Sequence, residues 1–154
     1  MKLTTPPPRQ IRIARPEDYA AIRALVLDQL SLRWGCFDPT LNPDLNDIGR
    51  AYADAQFYVA QLDAKIIGCG ALVSENRNSG RVVRMSVATD AQRMGVGSSI
   101  LERLICVAKE LRYRAVLTET VATWTSAVTF YLKHEFVRTE VRDGDQHFVR
   151  VLTP

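Results

Sequence analysis

The apolar residues of this chain switch between a period of two and a period near 3.6, and the switches delimit its elements. Ile11 and Ile13 mark a short strand. Arg15, Pro16, Glu17 and Asp18 read as a helix start, with proline at the first helical position and acids in the first turn. Tyr19, Ile22, Leu25, Val26 and Leu30 continue it at helical spacing. Residues 31–46 are irregular and rich in Gly, Pro, Asn and Asp, and a second helix is predicted over 44–54. Residues 57–62 and 65–74 read as strands turned at Asp63 and Ala64, and residues 75–80 supply another turn before a strand at 81–87. A helix over 98–111 would bury Ile100, Leu101, Leu104, Ile105, Ala108 and Leu111 while Glu102, Arg103, Lys109 and Glu110 face water. Residues 115–121 read as a fifth strand, 126–134 as a helix, and 136–141 and 146–152 as strands joined by Asp143, Gly144 and Asp145. An antiparallel meander followed by a helix-linked parallel pair indicates an α/β or α+β mixed sheet.

Between the fourth strand and its helix lies Gln92-Arg93-Met94-Gly95-Val96-Gly97. The first amides of a helix lack intrahelical partners and carry partial positive charge, so an anion fits there if the backbone can be approached closely. Gly95 and Gly97 permit that approach. The ATP/GTP loop is excluded because no lysine follows Gly97. The dinucleotide fingerprint stays open: Glu119 lies about twenty residues downstream, where a ribose-binding acid would sit. Against it, Ile100 stands where the last glycine belongs, and residues 88–94 separate the strand from the first glycine.

The third template is Q/R-x-x-G-x-G/A, which Gln92, Gly95 and Gly97 match, and here the chain resembles the GNAT superfamily of acyl-CoA-dependent N-acetyltransferases. Met85, Ser86 and Val87 resemble that family's fourth strand, and Ala127, Tyr131 and Phe136 its A-x-x-x-Y-x-x-x-G-F motif. The resemblance covers roughly residues 9–152. It implies a mostly antiparallel sheet of about seven strands, a parallel fourth and fifth pair that splay apart, and about four helices. It also implies acetyl-CoA as acetyl donor, without a metal. Its pyrophosphate would sit on the amides of Gln92, Arg93, Met94, Gly95, Val96, Gly97 and Ser98, and its arm along Met85, Ser86 and Val87. Ser98 and Ser99 either join the phosphate contacts or satisfy the first helical turn. Arg81 and Arg93 are candidates to meet phosphate.

Acetyl transfer to an amine needs a base, oxyanion stabilisation and a proton for the departing thiolate. Tyr131 matches the family's acid. Glu119, with Glu75 behind it, is the candidate base, and a backbone N–H near residues 85–87 the oxyanion donor. His134 and His147 are weaker candidates for the base. Trp34, Phe37 and Asp38 could hold a cationic amine by cation–π and charge contacts, or the aromatics could anchor the loop. The implied function is transfer to a primary amine of a small molecule or peptide. A non-catalytic acyl-CoA-binding or sensing domain and a dinucleotide-binding oxidoreductase are the alternatives.

Composition narrows the setting. The chain has 154 residues, 47% apolar, enough for one domain over residues 11–154 behind a flexible tail, 1–10, that carries Pro6, Pro7 and Pro8. A net charge of +3 from scattered basic residues does not suggest nucleic acid. No signal peptide and no run of about 18 apolar residues is visible, so neither secretion nor a membrane is expected. Cys36, Cys69 and Cys106 lack metal-ligand spacing and read as reduced thiols of a cytoplasmic protein, Cys69 and Cys106 as packing residues. A homodimer is left open. The chain departs from the family pattern at Trp124, where an arm-bonding Asn is usual, and at Glu135 and Arg112, where Gly is usual.

Overall fold

A computed structural model describes residues 9–35 and 39–153. Residues 1–8 of the expected tail over 1–10, and Cys36, Phe37 and Asp38, lie outside them, whereas Arg9 and Gln10 belong to the first strand.

Among the described residues seven strands form one sheet: β1 (Arg9–Ile13), β2 (Gln56–Leu62), β3 (Lys65–Asn76), β4 (Ser79–Val87), β5 (Ala115–Val121), β6 (Val137–Arg142) and β7 (Asp145–Val151). Their order is β1-β2-β3-β4-β5-β7-β6, and every neighbouring pair is antiparallel except β4 with β5. Those two run parallel because α3 (Val96–Glu110) carries the chain back across the sheet between them. The other helices are α1 (Tyr19–Trp34), α2 (Ile48–Ala51) and α4 (Thr125–Lys133). The mixed sheet with a parallel fourth and fifth pair and four helices is the architecture that the sequence predicts.

Alternation along the strands divides the core into two layers. Tyr58, Ala60, Ile67, Leu72 and Val82 pack with Ile100, Leu101, Leu104, Ile105 and Ala108 of α3 and with Val128 and Tyr131 of α4. On the opposite face Phe57, Val59, Cys69 and Ala71 pack with Ile22, Leu25 and Val26 of α1 and with Leu45 and Ile48. The approach of α3 is close because two glycines of β3 leave room for it. A Cβ on Gly68 would meet Val96 Cγ1 at 2.7 Å and Ile100 Cδ1 at 2.9 Å, and one on Gly70 would collide with Met85 Sδ. The first turn of α3 is thereby seated against β3, which fixes the glycine loop that precedes it.

Several expectations are corrected. The first helix continues to Trp34, because Gly35 adopts a left-handed φ of 73° and donates its N–H to the Ser31 carbonyl at 2.8 Å. The second helix is shorter: a 3₁₀ turn fills Pro43–Asn46, and α2 starts only after Asp47, whose side chain accepts from the Arg50 N–H at 3.2 Å. Leu111 lies beyond the end of α3 and is half exposed. Cys106 faces water and does not pack, whereas Cys69 is buried, bonds the Arg84 carbonyl at 3.4 Å and has its thiol pushed up to about 12 by burial.

Both major departures from glycine fall where the backbone turns left-handed. Arg112 has a φ of 62° and Glu135 a φ of 67°. Tyr113 then donates back to the Ala108 carbonyl at 3.0 Å, and Phe136 to the Tyr131 carbonyl at 3.2 Å. These are the long bonds of two Schellman ends, and each holds a non-glycine residue in a conformation that costs an L-residue roughly 1–2 kcal/mol. Arg112→Gly and Glu135→Gly are each expected to stabilise the protein by about 1 kcal/mol, raising the thermal midpoint by about 2–4 °C. Differential scanning calorimetry of the two variants checks this.

Candidate functional site

β4 and β5 share only three rungs, Ser79↔Ala115, Gly80↔Val116 and Arg81↔Leu117. Both strands continue past them, β4 to Val87 and β5 to Val121, with no strand between their inner edges. The result is a V-shaped opening edged by backbone amides and carbonyls, which need partners from water or a ligand. At its vertex the buried Thr118 hydroxyl donates to the Val82 carbonyl at 3.0 Å. On its other side β4 is bulged: Cys69 pairs with Ser86 and Ala71 with Val83, so Arg84 and Met85 both stand opposite Gly70, and Arg84 has a φ of 57°. The Arg84 guanidinium is anchored on Asp44 at 2.6 and 2.9 Å, and Tyr52 donates to the same carboxylate at 2.5 Å. Burial opposes ionisation of Asp44, but the bonds from Arg84 and Tyr52 prevail and hold it below the usual carboxylate range.

From Val87 the chain passes through a 3₁₀ turn at Thr89–Ala91 into the glycine loop. The Gln92 amide ties the loop back, donating to the Val87 carbonyl at 3.2 Å and to Gln29 of α1 at 3.1 Å. Arg93 and Gly95 are both left-handed, with φ of 68° and 76°. Ser99 is the first residue whose N–H bonds a carbonyl one turn back, that of Gly95 at 3.0 Å, so the amides of Val96, Gly97 and Ser98 are the free donors of the first turn. Behind the loop the Arg9 guanidinium bonds the carbonyls of Met94 and Gly95 and, at 3.1 Å, the Ser99 hydroxyl. A Cβ at Gly97 would touch Phe130 at 3.4 Å and Val87 at 3.5 Å.

Tyr131 is buried in an aromatic cluster, with the rings of Phe130, Phe136 and Phe148 at 5.3, 5.5 and 5.6 Å. Burial raises the phenol above its ordinary range, against a hydrogen bond with Thr118 and the charge of Arg33. The phenol is therefore protonated at neutral pH, beside the vertex. Glu119, next along β5, projects from the opposite face of the sheet. Its carboxylate meets His147 Nε2 at 3.2 Å and Arg81 Nη1 at 3.5 Å. Arg81 also holds Glu75, through Nε at 2.8 Å and Nη2 at 3.3 Å, so its charge is spent at the vertex and not on the glycine loop. Glu75 is consequently held below the usual carboxylate range by the Arg81 bond.

The structure brings Met85, Ser86, Val87, the glycine loop and Tyr131 to one opening. Ser98 contributes its backbone, but its hydroxyl turns toward His134 Nε2 at 2.9 Å. Trp34 stands on α1 with its ring 5.2 Å from that of Trp124 at 63°, while the Arg33 guanidinium lies 4.6 Å over Trp124. Arg33 and Trp124 border a pocket of about 280 Å³, lined also by Gln29, Leu32, Thr89, Gln92 and Ser126; Trp34 is not among its lining residues. A larger cleft of about 860 Å³ runs along α1 past Arg12, Asp18 and Lys65. Neither cavity is lined by Tyr131 or the loop glycines, but the smaller one reaches the glycine loop at Gln92 and the turn before α4 at Trp124. Phe37 and Asp38 lie outside the described residues. Sequence reasoning missed Thr118, Arg33 and Arg9. Only Thr118, a polar residue at a core position of a strand, left a local signal. Among the described residues no group of His, Cys, Asp and Glu is arranged to hold a metal, and no helix is long and apolar enough to cross a membrane.

The chain thus has a mixed sheet split between parallel strands that are joined through a glycine-bearing helix start. Residues 53–138, more than half the chain, match the acetyltransferase (GNAT) domain, and the chain belongs to that family. It is 27% identical over 128 residues to an IAA acetyltransferase of Azospirillum brasilense, covering 82% of this chain and 84% of the relative. It is 29% identical over 106 residues to a probable N-acetyltransferase camello of Xenopus tropicalis, where the match covers 66% of this chain and 48%, about half, of the relative. The fold is shared with a GNAT-family acetyltransferase of Staphylococcus aureus Mu50 at a TM-score of 0.85 and 19% identity, over 95% of this chain and 100% of the other. PaiA N-acetyltransferase of Thermoplasma acidophilum, solved in complex with coenzyme A, aligns at a TM-score of 0.82 and 15% identity over 94% and 99%.

Thr118 closes the vertex, so Thr118→Val should leave the Val82 carbonyl without that donor. The expected loss is roughly 1–3 kcal/mol of stability, read as a lower urea midpoint with an unchanged slope.

Proposed function

We propose that the protein is an N-acetyltransferase that moves the acetyl group of acetyl-CoA to a primary amine of a small molecule or peptide by direct attack. The observation that carries this reading is the V-shaped gap between β4 and β5, with a protonated tyrosine at its vertex and free helix amides at its open end. Its unpaired backbone edges suit the amides of a pantetheine arm, which can add as a short extra strand along Met85, Ser86 and Val87. The amides of Val96, Gly97 and Ser98, backed by the Arg9 charge, suit a pyrophosphate.

In this reading Tyr131 holds a proton for the sulfur that departs. A thiol ordinarily ionises at roughly 8.5 and a phenol near 10, and burial raises Tyr131 further. The phenol therefore keeps its proton until a thiolate develops beside it. An alkyl amine, with a pKa near that of lysine at about 10.4, arrives protonated and must lose a proton before it attacks. Glu119 takes that role from the opposite face of β5, where Arg81 and His147 fix its carboxylate. Trp34, at the end of α1 beside Trp124, stands on the side from which the amine enters, and Phe37 and Asp38 stay substrate-binding candidates on the sequence alone. One observation favours a non-catalytic acyl-CoA-binding role: Trp124 stands where the family pattern has an amide side chain for the arm, and an indole cannot accept a hydrogen bond.

Tyr131→Phe separates the two. For an enzyme, steady-state kinetics should show kcat lowered by about 10²-fold or more with KM for acetyl-CoA nearly unchanged; for a binder there is no turnover to lose. Gly97→Val should abolish CoA binding while the protein stays folded, since a Cβ there has Phe130 and Val87 as its nearest neighbours, at ordinary contact distance. Wild type with CoA at a hundred times its Kd should gain about 2.7 kcal/mol, several degrees in a thermal shift, and the variant nothing.

A further inference from the structure

Ser98 is the third residue of α3, yet its hydroxyl points away from the loop into a polar chain between helices. Its Oγ lies 2.9 Å from His134 Nε2, and His134 Nδ1 lies 3.2 Å from Glu102 Oε1, one turn further along α3. Arg150 of β7 closes the chain. Its Nη1 stands 3.3 Å from Glu102 Oε1 and donates to the His134 carbonyl at 3.1 Å, and its Nη2 meets Glu135 Oε2 at 3.0 Å. The Phe130 ring of α4 lies 4.8 Å from the imidazole. The charged groups around His134 are thus Glu102 from α3, Arg150 from β7 and Glu135 from the turn after α4.

The direction of these hydrogen bonds follows from counting protons. A carboxylate only accepts, so the His134 Nδ1 that faces Glu102 carries a hydrogen. In a neutral imidazole Nε2 is then bare, and the hydrogen in the 2.9 Å contact has to be the Ser98 hydroxyl's own. Donating inward, Ser98 offers only lone pairs to the space before the helix, where they repel an oxyanion. A second proton on the imidazole reverses this. Nε2–H then donates to Ser98 Oγ, and the hydroxyl hydrogen is freed to donate outward.

Resting on the acetyl-CoA reading of the glycine loop, we propose that Glu102, His134 and Ser98 form a proton-linked clamp for the diphosphate of CoA. One proton passes from solvent to His134 Nε2 as the diphosphate seats on the amides of Val96, Gly97 and Ser98, and the Ser98 hydroxyl hydrogen turns outward onto a phosphate oxygen while Oγ accepts from Nε2–H. His134 and Glu102 are positioning residues that act through Ser98, and Arg150 keeps Glu102 in place. A mere staple between α3 and α4 would hold the same distances and exchange no proton on binding.

Calorimetric titration of the full chain with CoA near neutral pH, in two buffers of different ionisation enthalpy, counts the protons. The clamp requires net uptake of a fraction of a proton, up to one per CoA, and an affinity that falls with rising pH by as much as about tenfold per unit. The 3′-phosphate of CoA itself ionises near pH 6, so the titration is repeated with 3′-dephospho-CoA, which keeps the diphosphate. Uptake that persists there belongs to the diphosphate clamp, and uptake confined to CoA overturns it. His134→Gln retains an uncharged N–H donor and should bind CoA within a few-fold of wild type with no proton uptake. Ser98→Ala should lose uptake and bind more weakly. Thermal unfolding of both variants checks that they are folded. Binding by wild type without proton exchange, or uptake that survives His134→Gln, removes the clamp and leaves the acetyl-CoA reading standing. Wild type that binds neither CoA nor 3′-dephospho-CoA removes both.

Discussion

The constraint on which the site depends is that two parallel strands stop pairing after three rungs while both continue. A buried N–H or C=O without a partner costs roughly 1–3 kcal/mol, so a sheet does not part without compensation. Here the compensation is local to the vertex. Thr118 takes the Val82 carbonyl, and Arg81, at the last rung, spans from Glu75 on β3 to Glu119 on β5. Tyr131 and its three aromatic neighbours wedge the α4 side. Beyond the vertex the edges are left to water, or to a ligand with amides of its own.

The same geometry assigns the two faces of β5 to different partners. Thr118 turns toward α4 and meets Tyr131, while Glu119 turns toward the face that α1 covers farther along the sheet. On the proposed reading, sulfur and amine approach a carbonyl lodged in the gap from opposite sides. A phenol on one face and a carboxylate on the other then serve proton transfers that must not short-circuit each other. Adjacent positions on a strand achieve this because successive side chains point apart. The bulge at Arg84 adds a change of direction on β4, and its cost in left-handed strain is opposed by the anchor to Asp44.

Much of this was legible in the sequence because it is local. β5 occupies the predicted residues 115–121, the hairpin turned at Asp63 and Ala64 is present, and the glycine loop stands between β4 and α3 as its spacing indicates. The left-handed turns at Arg112 and Glu135 were foreseeable as strain wherever the family pattern has glycine. What escaped depends on partners far apart in the chain. Arg9 reaches Met94 and Gly95 across the whole meander, Ser98 turns to His134 instead of to the loop, and Trp34 meets Trp124. No local periodicity encodes such pairs. The end of α1 was misplaced for a different reason: residues 31–34 lack strong pattern, and the stop signal is Gly35 alone.

Trp124 shows how a departure from the family pattern can be structurally neutral and still alter the site. As the residue before α4 it makes no side-chain cap, a loss of roughly 1 kcal/mol relative to Asn. Its ring recovers a similar amount: an edge-on aromatic contact with Trp34 contributes about 0.5–1.5 kcal/mol and an exposed cation–π contact with Arg33 about 0.5–1. Backbone bonds from Ala127 and Val128 to the Trp124 carbonyl, both 3.1 Å, start α4 regardless of the side chain. Stability is therefore balanced, and the net change is chemical. Where the family pattern has an amide, an indole in edge-on contact with Trp34 ties the end of α1 to the turn before α4, beside the pocket that Gln92 and Ser126 share. On the proposed reading, an arm passing Trp124 meets no amide acceptor from that side chain, and its recognition falls more heavily on the backbone edges of β4.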